Sequence, residues 1–296
     1  GVQVVSSSGQ PGSTPNVRIR GIGSFESARP LYVIDGLQTK NASIMTTLNP
    51  NDIENVTVLK DASATSIYGT SGANGVIVIT TKSGKKGRTR INVSSQTGFS
   101  SPTIAEKFKP LNTIEFQELF IEGVRNANLA STDAEALTYL TDRGFNPEVN
   151  TDWLDLLTQN ATFQQHNISV SGGGEKTSYY LSGGFYKQEA VILNSNLERF
   201  NFLLKGSHDI NDRAKISSSI SFSKNTSNVR PDGGAFANPV RAIYRLRPDL
   251  SPYNEDGSYN LSFNGTHNPV AQAENEIRKN IRNRVAGVLD FSYKFN

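Results

Sequence analysis

Cysteine is missing from all 296 residues. Without it there is no disulfide framework and no thiolate metal site. Long apolar runs are missing too. No stretch reaches the ~18 consecutive apolar residues that a spanning helix needs, so a helical membrane span is excluded. Hydrophobic residues make up only 36%, low for a soluble enzyme of this length. Ser, Thr, Asn and Gly are abundant instead. That balance suits membrane strands, in which only every second residue faces lipid and the other face is polar. His166, His208 and His267 stand too far apart in sequence for any metal-ligand spacing. Gly21-Ile22-Gly23 lacks the third glycine of a dinucleotide loop, since Glu26 stands there, and no βαβ unit follows. No Ser, His and acid trio sits in a nucleophile context, and no acidic pair stands out for glycoside chemistry. The expectation is a chain with no catalytic residues, no cofactor and no metal, hence not an enzyme.

What is present begins with a compact, glycine-rich stretch from Val17 to Lys82. Val17 and Ile19 alternate with Arg18 and Arg20, as in a half-buried strand. Leu31, Tyr32, Val33 and Ile34 form a short apolar run closed by Asp35-Gly36, a tight-turn signal because glycine accepts positive φ. Asp52-Ile53-Glu54 leads into Val56, Val58 and Leu59, another strand. Asp61 to Tyr68 reads as a helical turn with Asp61 or Ser63 placed to cap it. Gly69, Gly72 and Gly75 break it, and Val76 to Ile79 is a buried strand. These pieces imply a small mixed sheet with helical turns and its own core.

Lys82-Ser83-Gly84-Lys85-Lys86-Gly87 is a basic, flexible linker, after which the texture changes to polar/apolar alternation. Six strand candidates follow: Arg90 to Ser100, Gln165 to Gly172, Thr177 to Gln188, Arg199 to His208, Ala214 to Lys224 and Arg284 to Phe295. In the fifth, Ile216, Ile220 and Phe222 alternate with Ser217, Ser219, Ser221 and Ser223. In the sixth, Val285, Leu289, Phe291 and Tyr293 alternate with Arg284, Asp290 and Ser292. A period of two puts one set on lipid and the other on a polar lumen. Gly173 to Lys176 and Asp209 to Asp212 are tight turns, whereas 101–164 and 225–282 are long. Asn112 with Glu115, and Thr132 with Glu135, are plausible helix caps inside the first long loop, and Asp152 to Leu157 suggests a third helix.

Several motifs of the first stretch resemble the plug domain of TonB-dependent outer-membrane transporters, most closely the SusC/RagA type. They are Arg18-Ile19-Arg20-Gly21, Leu31 to Gly36, Pro50 to Lys60, Ala62 to Gly69 and Gly72 to Lys82. The fold class implied is mixed: a small α/β plug domain followed by antiparallel transmembrane β-barrel strands, about six strands of a large plugged barrel. The expected division is a plug over 1–87, with its N-terminal part missing, and the N-terminal portion of the barrel over 88–296. Short periplasmic turns and long extracellular loops then put 101–164 and 225–282 outside the cell. A barrel wide enough for a folded plug needs about 22 strands. The expectation is therefore a chain that is the early part of a longer, outer-membrane polypeptide.

The resemblance implies TonB-dependent active import of oligosaccharides or oligopeptides. The partners implied are a SusD-like surface lipoprotein, the TonB energising complex and outer-membrane lipids. The alternative is a SusC-like barrel that serves as a structural subunit of a larger outer-membrane complex. Nucleic acid is not an expected partner, because Lys82, Lys85, Lys86, Arg88 and Arg90 read as a solvated periplasmic rim. By the same resemblance Arg18 and Arg20 act as a plug latch, paired with acidic residues of the barrel wall. The alternative is a pair inside the plug with Glu54 or Asp52. Phe25, Glu26 and Arg29 occupy a loop that would face the substrate cavity or else pack on the wall. Loop aromatics such as Trp153, Tyr244 and Tyr253 are suited to stacking on sugar rings or on peptide side chains.

Overall fold

The computed structural model describes residues 2–6, 8–19, 29–231, 238–261 and 267–295. Two short strands, β1 (Gln3–Val5) and β2 (Asn16–Arg18), pair antiparallel. A four-stranded mixed sheet follows: β3 (Leu31–Ile34), β4 (Leu37–Thr39), β5 (Ile53–Leu59) and β6 (Val76–Thr81), in the order β4-β3-β6-β5. β3 and β6 run parallel in the middle, which explains the unbroken apolar run of β3: both of its faces are covered. Tyr32 and Ile34 pack with Ile77, Ile79, Val17 and Ile19 on one side, while Leu31, Val33 and Val76 pack on the other. The β3–β4 hairpin turns on Asp35 (φ 48°) and Gly36 (φ 90°), the left-handed pair that a two-residue turn requires. Asp61 occupies the N-cap of the short helix α1 (Ala62–Thr65), but its side chain makes no capping bond.

The rest of the chain is dominated by one antiparallel sheet. Its strands are β7 (Gly87–Ser100), β8 (Ala161–Gly173), β9 (Thr177–Glu189), β10 (Asn196–Asp209), β11 (Ala214–Asn228) and β12 (Lys279–Tyr293), each beside its sequence neighbour. The strands run longer than their apolar alternation. β12 begins at Lys279, paired with Asn228, because a backbone ladder extends through polar residues as readily as through apolar ones. Leu204 lies between Leu181 and Ile220, and Phe202 lies beside Phe222. These side chains point away from the small domain. Leu181 is 37%, Phe202 42% and Ile220 50% exposed, as an apolar belt meant for lipid must be in the bare protein.

The two long connections meet at one end of this sheet. The first contains α2 (Thr113–Asn126), α3 (Asp133–Thr141) and α4 (Trp153–Leu157). The second contains α5 (Pro239–Arg245) and α6 (Pro269–Asn275). Asn112 and Glu115 close both bonds of a capping box, at 2.9 and 3.0 Å. Thr132 accepts a bond from the Glu135 N–H at 3.2 Å. Trp153 and Leu157 from the first loop bury themselves against Ile243, Val270 and Ala273 from the second. The two loops thus form one folded cap. Trp153 is part of its core, with its indole N–H donated to the Arg247 carbonyl at 3.0 Å, and is not available for stacking on a ligand. Tyr244 and Tyr253 remain exposed.

Candidate functional site at the plug–wall seam

The small domain lies on the polar face of the six-stranded sheet, and the seam between them is built from polar side chains. Strand parity supplies the wall side. On β10, Arg199, Asn201 and Lys205 fall on the same face because they are separated by even numbers of residues. Tyr180 and Ser182 do so on β9, and Asn167 does so on β8. Opposite them the plug offers the Asp35 turn, a 3-10 turn over Ala42–Thr47, and a second over Pro50–Asp52.

Three groups of contacts hold the seam. The Lys205 ammonium lies 2.9 Å from the Asp35 carboxylate and donates to the Thr81 carbonyl at 3.1 Å. Asp35 also accepts the Thr81 N–H at 2.9 Å and the Thr81 hydroxyl at 2.6 Å, so it arrives already oriented by β6. Arg199 donates to the Thr46 carbonyl at 3.1 Å and Asn201 to the Thr47 carbonyl at 2.6 Å. These carbonyls end a helical turn, where orphan acceptors favour basic and amide donors. Tyr180 donates its hydroxyl to Asp52 at 2.9 Å, while Asn49 donates to Asp52 at 3.1 Å and to Asn167 at 3.0 Å. Asp52 is buried, with these neutral donors around its carboxylate. At the lower rim Lys86 meets Asp209 at 2.9 Å and Lys85 approaches Glu54 at 3.8 Å, both largely exposed pairs.

The seam is not fully satisfied. Ser182 Oγ, Ser223 Oγ, Asn225 Oδ1 and Arg199 Nε are buried without a hydrogen-bond partner among the described residues. Each such atom costs about 1–3 kcal/mol if it stays dry. A cavity of about 50 Å³ opens between plug and wall, lined by Asp35, Asn49, Asp52, Asn201, Ser223 and Arg284 among others. Its wall mixes these polar groups with apolar residues such as Ile34 and Leu48, and it is large enough to admit solvent. A wettable seam is easier to shear, because water replaces each bond that is broken.

Arg18 sits half-buried on β2 and forms no salt bridge with Asp52 or Glu54 among the described residues. Those two carboxylates face Tyr180 and Lys85 instead. The seam's own ion pair joins an acid of the plug, Asp35, to a cation of the wall, Lys205. Arg20, Phe25 and Glu26 lie outside the described residues. Arg29 is exposed at the edge of a groove that also holds Asn16, Tyr32 and Ser43. Burial pushes the Tyr32 phenol above its ordinary range, and the Arg29 charge works against that. Sequence reasoning missed Asp35, Asn49, Tyr180, Arg199 and Lys205 as seam residues, and named Asp52 only as a partner for the plug arginines. The parity of β10 was the available signal, because it sets Arg199 and Lys205 together on the lumen side.

A plug fixed by polar contacts to the inner face of an outward-apolar antiparallel sheet is the arrangement of an outer-membrane receptor of the TonB-dependent class. The comparisons agree. The family model "TonB-dependent Receptor Plug Domain" matches residues 1–76. A TonB-dependent receptor of Formosa agariphila is 34% identical over 94% of this chain and 26% of its own length. The TonB-dependent receptor SusC of Bacteroides thetaiotaomicron is 32% identical over all of this chain and 31% of its own. The solved RagAB peptide transporter superposes with a TM-score of 0.79 at 26% identity, over 98% of this chain and 36% of that one. The chain spans between a quarter and a third of the length of these curated relatives. Within that span it belongs to the SusC/RagA type of TonB-dependent outer-membrane receptor.

Proposed function

We propose that residues 1–87 are the plug, and 88–296 the first part of the wall, of an importer that takes up oligosaccharides or oligopeptides. The loops 101–164 and 225–282 face the cell exterior, where a SusD-like lipoprotein covers them. The TonB complex pulls on the plug from the periplasmic side. Arg18 and Arg20 add to the latch through wall residues beyond β12, and Phe25, Glu26 and Arg29 face the substrate cavity. The observation that carries the reading is the seam. A permanent wall filling would be apolar and dry, whereas this contact rests on Asp35–Lys205, Tyr180–Asp52 and a solvent-sized cavity that polar side chains help to line. Such contacts are specific in geometry yet replaceable by water. The peptide class has support from RagAB, a peptide transporter of similar fold.

The test is uptake of fluorescent oligopeptide and oligosaccharide mixtures by cells that express the full-length receptor. Accumulation that stops when the proton gradient is collapsed supports the proposal. Binding without energised accumulation of either class sinks it.

A further inference from the structure

The plug touches the rest of the chain at a second place, around the Asn196 end of β10. Gln10 lies in a tight turn with Pro11 and Gly12 (φ 74°). Its side-chain amide pairs with the backbone of Arg230 as one peptide group pairs with another. Gln10 Oε1 accepts the Arg230 N–H at 2.7 Å, and Gln10 Nε2 donates to the Arg230 carbonyl at 2.7 Å. Ser195, from the short link between β9 and β10, donates to the same Gln10 oxygen at 3.4 Å.

Arg230 begins the second long loop, and its side chain turns into the cap. It is 5% exposed. Its guanidinium donates to the carbonyls of Ala273 at 2.8 Å, Glu276 at 2.7 Å and Gln272 at 3.3 Å, all at the C-terminal end of α6. A fourth contact reaches the Asn194 carbonyl at 3.4 Å. Asn194 in turn donates to Ala273 at 2.7 Å. The helix so held contributes Val270 and Ala273 to the cap core around Trp153. One residue therefore has its backbone bound to the plug and its side chain bound to the helix that seals the cap.

We infer that the plug and the outer cap form one coupled conformational unit, with the Gln10–Arg230 pairing as the joint between them. Withdrawal of the Gln10 turn leaves a buried peptide group of Arg230 without partners. The guanidinium is no longer fixed over α6, and the cap loosens. Coupling of this kind is reciprocal, so an opened cap also loosens the turn. The joint matters for transport only if the plug moves as proposed above, but its test needs no transport.

The experiment is amide hydrogen exchange on the full-length receptor in detergent, without substrate or energising partner. Wild type is compared with Gln10→Ala and with Gln38→Ala, an exposed plug residue on β4 that serves as a control. Loss of the paired hydrogen bonds should speed exchange over residues 268–276 by roughly fivefold to tenfold. Residues 31–34 and 76–81, and the Gln38→Ala protein, should be unchanged. Unchanged exchange over 268–276 overturns the inference. So does an equal rise in every segment, because that reports a general loss of stability. Arg230→Lys gives the reciprocal readout: faster exchange over residues 9–13 is expected, and protection there equal to wild type also overturns the joint.

Discussion

Lys205 of the wall reaches across the seam to Asp35 of the plug, 2.9 Å away, and both side chains are largely buried, at 14% and 17% exposure. The acid is also held within its own domain, through Thr81. The cation is therefore the element added by docking, and the pair measures how firmly the plug is seated.

Lys205→Met keeps the stem and removes the charge. It should weaken plug seating by about 3 kcal/mol, since a buried carboxylate loses its counter-charge. The measurement is urea-induced release of the plug in the full-length receptor, read by a label placed on an exposed plug position. Combining Lys205→Met with Asp35→Asn should cost less than the sum of the two changes. Strict additivity would show that the two residues do not interact.

Tyr180→Phe removes the hydroxyl that Asp52 accepts at 2.9 Å. The carboxylate stays buried with one donor fewer, so a loss of about 1–3 kcal/mol of seating is expected. Tyr179→Phe, one residue away and on the opposite face of β9, should leave seating unchanged. If both variants behave alike, the seam does not depend on this bond.

Much of this architecture is legible in the sequence. Leu31 to Ile34 announces a doubly covered strand, and Asp35-Gly36 announces its turn. The alternation of Ile216, Ile220 and Phe222 with serines announces the wall and its two faces. The seam itself is not legible. Asn49 finds Asn167 across 118 residues, and Lys205 finds Thr81 across 124. No local spacing encodes such meetings. Trp153 shows the other limit: a lone aromatic in a polar loop looks like a ligand contact, but α5 and α6, from a loop far along the chain, bury it.

The outer face makes a prediction of its own. Ile220→Arg places a charge in the apolar belt beside Leu204 and should cost about 2–4 kcal/mol if it lies near the membrane midplane. Ser221→Arg points into the lumen and should not perturb the lipid contact. Because the chain has no cysteine, single labels at Phe202 and Ser219 can report the two environments. Equal polarity at both positions would contradict the assigned faces.

Acid should loosen the cap near Arg230. Burial pushes the Glu276 carboxyl up, but hydrogen bonds from Arg278 and Gln272, with the Arg278 and Arg230 charges, bring it below its ordinary value. A depressed carboxylate lends stability above its unfolded value, about 4.3, and that stability is lost as pH falls through the lower folded value. A spin label at the exposed Ile277 should become more mobile below about pH 4. The transition should be absent in Glu276→Gln. A transition that persists in that variant would assign the acid sensitivity to other groups.

The sharpest test of the seam uses two adjacent glycines on β9. A Cβ at Gly184 would lie 2.8 Å from Asn49 Nδ2 and 2.9 Å from Asn167 Oδ1, whereas a Cβ at Gly183 would meet only Ile168, at 3.7 Å. Gly184 faces the plug and Gly183 faces lipid, so the two sites differ in what they touch and not in their secondary structure. Gly184→Ala must displace Asn49 or Asn167 and so break the bond between them. The cost combines overpacking, on the order of 1–3 kcal/mol, with the loss of that hydrogen bond. Gly183→Ala should be neutral or slightly stabilising, because alanine narrows the unfolded ensemble without a clash. Plug release in urea separates the two. An easier release in Gly184→Ala alone locates the plug against this face of β9. Equal behaviour of the two variants would mean that Asn49 does not sit over the wall as described.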